Sequence, residues 1–263
     1  MNPQPKALPH RLDRTVVIRA TCETVFRFFT DSARWAAWWG AGSTIDPRPG
    51  GKVQIQYPNA VVAAGEVLDI LSPEKIVFSY GYASGKPIPP GASRVTITLE
   101  PYAGGTRLRL AHEFSEAALR DDHVQGWRYH LAVFGNAVAD EIHRDAANVV
   151  EGWFAAWAIT NEEERAQALQ RVAGATVQFR DRFSLTDGLD DLSAHIAGTH
   201  RFMPGVRLEQ RGPISQCQGT VLAPWVAVAP DGKELMSGTN VFVLGPDGRI
   251  ESVTGLLNSP PKL

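Results

Sequence analysis

Between Asp122 and Asn161 the chain carries two patterned segments nearly end to end, DHVQGWRYHLAVFGNAVADEIHR and NVVEGWFAAWAIT. In the first, Val124, Trp127, Leu131, Phe134, Val138 and Ile142 recur at steps of three and four, the apolar stripe of an amphipathic helix laid on a core. No proline falls in the stretch and no glycine lies between Gly135 and Gly152, so it does not have the composition of a flexible linker. The sequence on either side is rich in strand and turn signals. The arrangement this imposes is a helix closing one small domain and running almost directly into the opening helix of another.

The rest of the composition agrees with two cores. A length of 263 residues suits two domains of roughly 100 to 150 residues each, and 44% hydrophobic residues are enough to fill both. A net charge of −2 gives no electrostatic reason to expect nucleic acid or an anionic membrane surface as partner. Cys22 and Cys217 fall in different proposed domains, without Cys or His at metal spacing, so neither a disulfide framework nor a zinc site is expected. Reduced thiols fit a cytoplasmic protein. The opening MNPQPKALPHR lacks an apolar core, and no stretch approaches the roughly 20 apolar residues of a membrane span. The expected division is a disordered lead-in over 1–13, a first domain over 14–145 and a second over 146–263.

In the first domain, Thr15 to Ala20 reads as a strand. Thr21 caps a short helix from Cys22 to Phe29, and Ser32 caps a second, ARWAAWW, that stops at Gly40. The PRPGG turn then opens a run of about five antiparallel strands before the long helix. Alternation places Tyr57, Tyr80, Tyr82 and His112 on the concave face, with Leu108, Leu110 and Phe114 beside His112. A buried imidazole could act as general base; the alternative is a core histidine satisfied by a neighbouring tyrosine or backbone group. His123, Trp127 and His130 share one face of the long helix, nearly two turns separating the two histidines, without an acidic third metal ligand.

WWG at Trp38 to Gly40, DPRPGGKV from Asp46, GEVLDILSPEKIVFSY from Gly65 and GWRYHLAVFGNAV from Gly126 resemble the Hsp90-ATPase-activator-like branch of the START/Bet v 1-like superfamily. The resemblance spans about Val16 to His143. It implies a helix-grip fold with an internal apolar pocket, in a superfamily that includes lipid carriers, polyketide cyclases, stress proteins and co-chaperone modules. Tyr57, Tyr80, Tyr82, Trp127 and His130 are then candidate substrate-binding residues.

The second domain opens with Val150, Trp153, Phe154 and Trp157 on one helix face. Asn161 and Glu164 form a capping box for EEERAQALQRVA, a strand runs from Ala175 to Phe183, LDDLSAHIAGTHRF makes a third helix, and a β-meander follows. FAAW at Phe154 to Trp157, FRDRFS at Phe179 to Ser184, Trp225 and SGTNVFVLGPDGRIESVTGLL from Ser237 are similar to the NTF2-like, SnoaL-like family, over about Val149 to Asn258. This implies an α+β cone, in a superfamily of polyketide cyclases, isomerases, hydrolases, dehydratases and dimerising modules. The expected fold class is thus α+β, an N-terminal helix-grip domain followed by a C-terminal NTF2-like cone.

Asp181 alternates with Val177, Phe179 and Phe183, so parity turns its carboxylate toward the apolar side, where desolvation favours general acid/base work. The alternative is that it caps the adjacent helix or braces the loop before Leu189. His195 or His200 could be the partner base, at least one of them facing solvent. Asn240 stands where related sequences often carry an acid; an amide can donate to an oxyanion but takes no proton at neutral pH.

The chain has no GxGxxG, GxSxG or HExxH string, so no nucleotide, nicotinamide or metal cofactor is expected. The functional expectation is binding, with cofactor-independent acid/base conversion, of a hydrophobic carbonyl-bearing small molecule. Its candidate catalytic residues are Asp181, His112 and His195. Trp157, Phe179, Trp225 and Asn240 join the binding residues of the first domain. The alternative is a non-enzymatic ligand-binding or chaperone-associated module, with the second domain as a homodimerisation platform.

Overall fold

The computed structural model describes residues 7–258 and divides into two compact units, 1–138 and 139–263. The division falls inside the long helix, a few residues before the boundary expected at 145/146.

In the first unit the strands β1 (His10–Ile18), β2 (Thr44–Ile45), β3 (Lys52–Gln56), β4 (Val62–Leu71), β5 (Lys75–Tyr80), β6 (Ser93–Tyr102) and β7 (Gly105–Phe114) form one antiparallel sheet in the order β1-β7-β6-β5-β4-β3-β2. Two short helices, α1 (Cys22–Arg27) and α2 (Ser32–Trp39), follow β1, and α3 (Ala117–Ile142) follows β7. Strand β1 starts at His10, inside the stretch expected as lead-in, because His10 to Ile18 pair residue for residue with Phe114 to Thr106. The expectation for residues 1–6 lies outside the described residues. Helix α1 is capped by Thr21 as its sequence suggests. Helix α2 is capped by Asp31 rather than Ser32: the Asp31 carboxylate accepts from the Arg34 amide at 2.9 Å, while the Ser32 hydroxyl is drawn to the Ile45 backbone.

The stripe of α3 lies as its period requires, with Trp127, Leu131, Phe134 and Val138 all buried. What meets it is aromatic. Phe28, Phe29, Trp35, Trp38 and Trp39 from the short helices fill the concavity, with Phe134 stacked on Phe29 at 5.0 Å and Trp38 edge-on to Phe134 at 4.9 Å. The roomy internal pocket implied by the family resemblance is therefore largely occupied by these rings.

The second unit begins with α4 (Ala146–Ala158) and α5 (Glu162–Val172), then β8 (Ala173–Arg180), β9 (Leu185–Asp187) and α6 (Leu189–Phe202). It ends with the meander β10 (Arg207–Gln210), β11 (Ser215–Cys217), β12 (Thr220–Val228), β13 (Glu234–Leu244) and β14 (Ile250–Leu257). The sheet order is β10-β12-β13-β14-β8-β9, with β11 against β12. All pairs are antiparallel except β14 with β8. Asn161 caps α5 through the Glu164 amide at 2.9 Å. Trp153, Phe179, Leu192, Ile196 and Phe242 meet in the core between helices and sheet. Both units mix helix with an antiparallel-rich sheet, so the chain is α+β. No helix among the described residues is long and apolar enough to cross a membrane.

Candidate functional site

The inner face of the second sheet can be followed row by row from its register. Val221, Phe242, Val253 and Phe179 stand side by side on β12, β13, β14 and β8, and all four are buried. The next row holds Ala223, Asn240 and Gly255, with Asp181 just beyond the end of β8. A Cβ at Gly255 would lie 3.1 Å from the Asp181 Cβ and 3.3 Å from the Asn240 Oδ1. The absence of a side chain there is what lets Asp181 and Asn240 close on the same point, which a Cβ would crowd. Beyond this row, Trp225 lies across Gly238, its opposite number in the register.

Asp181 does not sit within a strand. Strand β8 ends at Arg180, and Asp181 opens the turn to β9, its Oδ1 accepting from the Phe183 amide at 2.8 Å while its own amide donates to the Ser184 carbonyl. Phe183 is swung out by that turn and is 65% exposed, against the inward position its parity suggested. The carboxylate braces its own turn, and one hydrogen bond leaves most of its acceptor sites free.

His195 on α6 lies 5.6 Å from the Phe179 ring, stacked, and edge-on to Trp157 at 5.8 Å. Its Nε2 is 3.3 Å from the Ser184 hydroxyl. His200 reaches the Trp157 carbonyl through Nε2 at 2.7 Å and is half-buried; neither histidine is solvent-facing, because both turn toward Trp157. Asn240 is 5% exposed. The structure thus brings Asp181, His195, Trp157, Phe179 and Asn240 to one end of the interior, with Trp225 at the margin. Ser184 joins them and was not foreseen, since only the turn geometry brings its hydroxyl to His195.

The first-unit residues form a separate cluster. Trp127 donates through Nε1 to Nδ1 of His112 at 2.9 Å, so the proton of His112 is on Nε2, which donates to the Ser93 hydroxyl at 2.9 Å; Ser93 donates in turn to the Tyr80 carbonyl at 2.9 Å. His112 is fully buried and both ring nitrogens are engaged, leaving no open lone pair for a general base. Burial, with a smaller contribution from His123, holds its pKa well below the ordinary imidazole value. Tyr57 and Tyr80 share a hydrogen bond at 3.1 Å, and burial pushes both phenols up. Tyr82 packs edge-on to Tyr80 at 5.7 Å, and His130 lies 5.6 Å from Tyr57. His123 and Trp39 complete the group, though neither is among the sequence-derived candidates. The cluster surrounds a cavity of roughly 30 Å³, too small for a polyketide or steroid-like molecule. Among the described residues, no group of three or more His, Cys, Asp or Glu could hold a metal ion.

Residues 19–139 match the family of activator of Hsp90 ATPase homolog 1-like proteins. That segment is just under half the chain and ends within α3. Among solved structures, a SnoaL-like family protein from Agrobacterium tumefaciens is similar at 24% identity and TM-score 0.42, over 43% of this chain and 97% of its own. CalU16 from Micromonospora echinospora is similar at 26% identity and TM-score 0.41, over 55% and 86%. The Aha1 dimer from Colwellia psychrerythraea is similar at 13% identity and TM-score 0.43, over 49% and 95%. No curated protein matches the chain in sequence.

Proposed function

We propose that the second unit binds a hydrophobic, carbonyl-bearing small molecule at the Asp181 end of its sheet and converts it by cofactor-independent proton transfer, as a cyclase, isomerase or hydrolase would. The observation that carries this reading is the Asn240 and Gly255 row, which brings one carboxylate and one buried amide together at the end of an otherwise apolar face. Asp181 is the base that takes a proton from the carbon beside the carbonyl, His195 returns one from the aromatic side, and the Asn240 amide donates to the oxygen that gains charge. With an amide at position 240, no second carboxylate is available in the row, so the chemistry needs one carboxylate and one imidazole.

The test is deuterium exchange. Full-length protein is incubated in D₂O with a panel of apolar enolisable ketones, and loss of the α-proton signal is followed by NMR. Exchange above the uncatalysed rate that falls at least about a hundredfold in Asp181→Asn supports the assignment, the range for removing a general base. Equal rates in the two proteins, or none above background, sink it.

A second reading is favoured by the family match of residues 19–139: a chaperone-associated regulatory role for the first unit, in a cytoplasmic protein whose second unit pairs as a homodimer. Stimulation of an Hsp90 ATPase by the full chain, and light scattering of the same sample, test its two halves.

A further inference from the structure

The cavity in the first unit is lined by Trp39, Tyr80, His112, His123, Trp127 and His130, with Gly126 at its outer edge. Two of its neighbours are satisfied among themselves: His112 by Trp127 and Ser93, and Tyr80 by Tyr57. Three lining side chains keep a buried polar atom without a partner, namely Trp39 Nε1, His123 Nε2 and His130 Nδ1. Buried polar groups are nearly always paired, and an unpaired one costs desolvation energy without return. Three of them around one small void point to something that completes them.

Their chemistry selects the group. His123 Nδ1 is 2.7 Å from the Leu119 carbonyl, which can only accept, so the proton is on Nδ1 and Nε2 offers a lone pair. The indole N–H of Trp39 can only donate. The other ring nitrogen of His130 is turned to the Trp38 backbone, so its Nδ1 is a second acceptor, and a single occupant must accept from the indole and donate to one of the two imidazoles. A hydroxyl does both, an ether or ketone only accepts, and an ammonium group only donates. About 30 Å³ is two to three times the space one water needs, enough for a hydroxyl and the first one or two carbons of its stem.

The remainder of such a molecule has a way out. Gly126 is exposed on α3 between His123 and Trp127, and a Cβ placed there would meet nothing within 4 Å. The missing side chain leaves a gap in the helix face over the cavity. We infer that the first unit holds a binding site for the hydroxyl end of a small neutral alcohol, whose apolar stem leaves past Gly126. This site is separate from the one proposed at Asp181 and stands or falls apart from it.

The experiment titrates full-length ¹⁵N-labelled protein with n-hexanol, di-n-propyl ether and hexylammonium, which have the same number of heavy atoms. Tryptophan indole N–H resonances provide the readout. n-Hexanol is expected to shift one indole signal, identified as Trp39 by its disappearance in Trp39→Phe, and the ether and ammonium to bind several-fold more weakly. His123→Phe removes one hydrogen bond and weakens n-hexanol about three- to tenfold. Gly126→Leu keeps the fold, since the position is open and leucine favours helix, but closes the gap and weakens binding at least tenfold. No indole shift with n-hexanol would mean that a lone water satisfies the three atoms, and overturns the proposal. Equal affinity for the ether, or Gly126→Leu binding like the parent, overturns it as well.

Discussion

Ser93 stands between the His112 imidazole and the Tyr80 carbonyl, and the whole relay from Trp127 depends on it. Ser93→Ala strands a buried N–H and is expected to lower the stability of the first unit by about 1–3 kcal/mol, read from the urea midpoint; an unchanged midpoint would mean the ring finds another acceptor. Gly255→Ala tests the other cluster. A methyl there meets Asp181 and Asn240 at 3.1 and 3.3 Å, contacts that small shifts can absorb, so the melting temperature should hold while turnover of any ketone substrate falls at least about tenfold, about 1.4 kcal/mol. At this scale the sequence was a fair guide to position and a weaker one to role. Strand parity placed His112 inward, which is correct, yet the number of partners waiting for it comes from β6 and α3, which parity says nothing about. Asp181 was placed toward the inner face by alternation that β8 does not sustain past Arg180. The turn still brings its Cβ back beside Gly255. His123 could be found only by knowing which neighbours leave its Nε2 unpaired.

Elements were more legible than roles because their signals are local. The apolar stripe of α3, the Thr21 cap and the Asn161 cap each depend on residues within a turn or two, and each forms as read. The Asn161 cap yields a simple expectation: Asn161→Ala should cost about 1 kcal/mol, measurable by thermal unfolding, whereas Ser32→Ala should leave the start of α2 in place because Asp31 holds it. The expected lead-in hid the first four residues of β1, since HRLD has no apolar alternation to mark it; its partner strand β7 supplies the order. The filled concavity was equally beyond local reading. Tryptophans of α2 that look like a helix stripe become the stuffing of the sheet only when α1, α2 and α3 converge. Trp35→Ala, which empties the most buried of them, should cost about 3–5 kcal/mol and enlarge the interior.

For the whole molecule, the division inside α3 predicts that a fragment starting at Ala139 is more stable than one starting at Ala146. Ala139 and His143 are buried, and the Ile142 carbonyl lies 3.6 Å from where a Gly248 Cβ would be; equal melting temperatures for the two fragments would return the boundary to 145/146. Acid provides a second test. Burial lowers the pKa of His112, His123 and His130 below the unfolded value, so the unfolded chain binds protons first as pH falls. The associated stability is complete above about pH 6.5 and is lost progressively below it. The carboxylates held down by ion pairs, such as Glu100 and Asp69, act only below about pH 4.5. Hydrogen exchange of β6 and β7 amides should accordingly quicken between pH 6.5 and 5 after correction for intrinsic rates, and less so in His123→Gln. The single parallel pairing in the second unit carries a kinetic consequence. Strand β8 pairs with β9 close by in sequence, but its other edge belongs to β14, whose residues follow it by most of the unit, so that edge stays open until the meander between them is complete. During synthesis that sheet is a structure with a missing centre. A ribosome stalled before Ile250 would present an adhesive edge to the cell, whereas strands β2 to β7 of the first unit, each paired with its neighbour in sequence, can zip up as they emerge and leave only β1 to dock on β7.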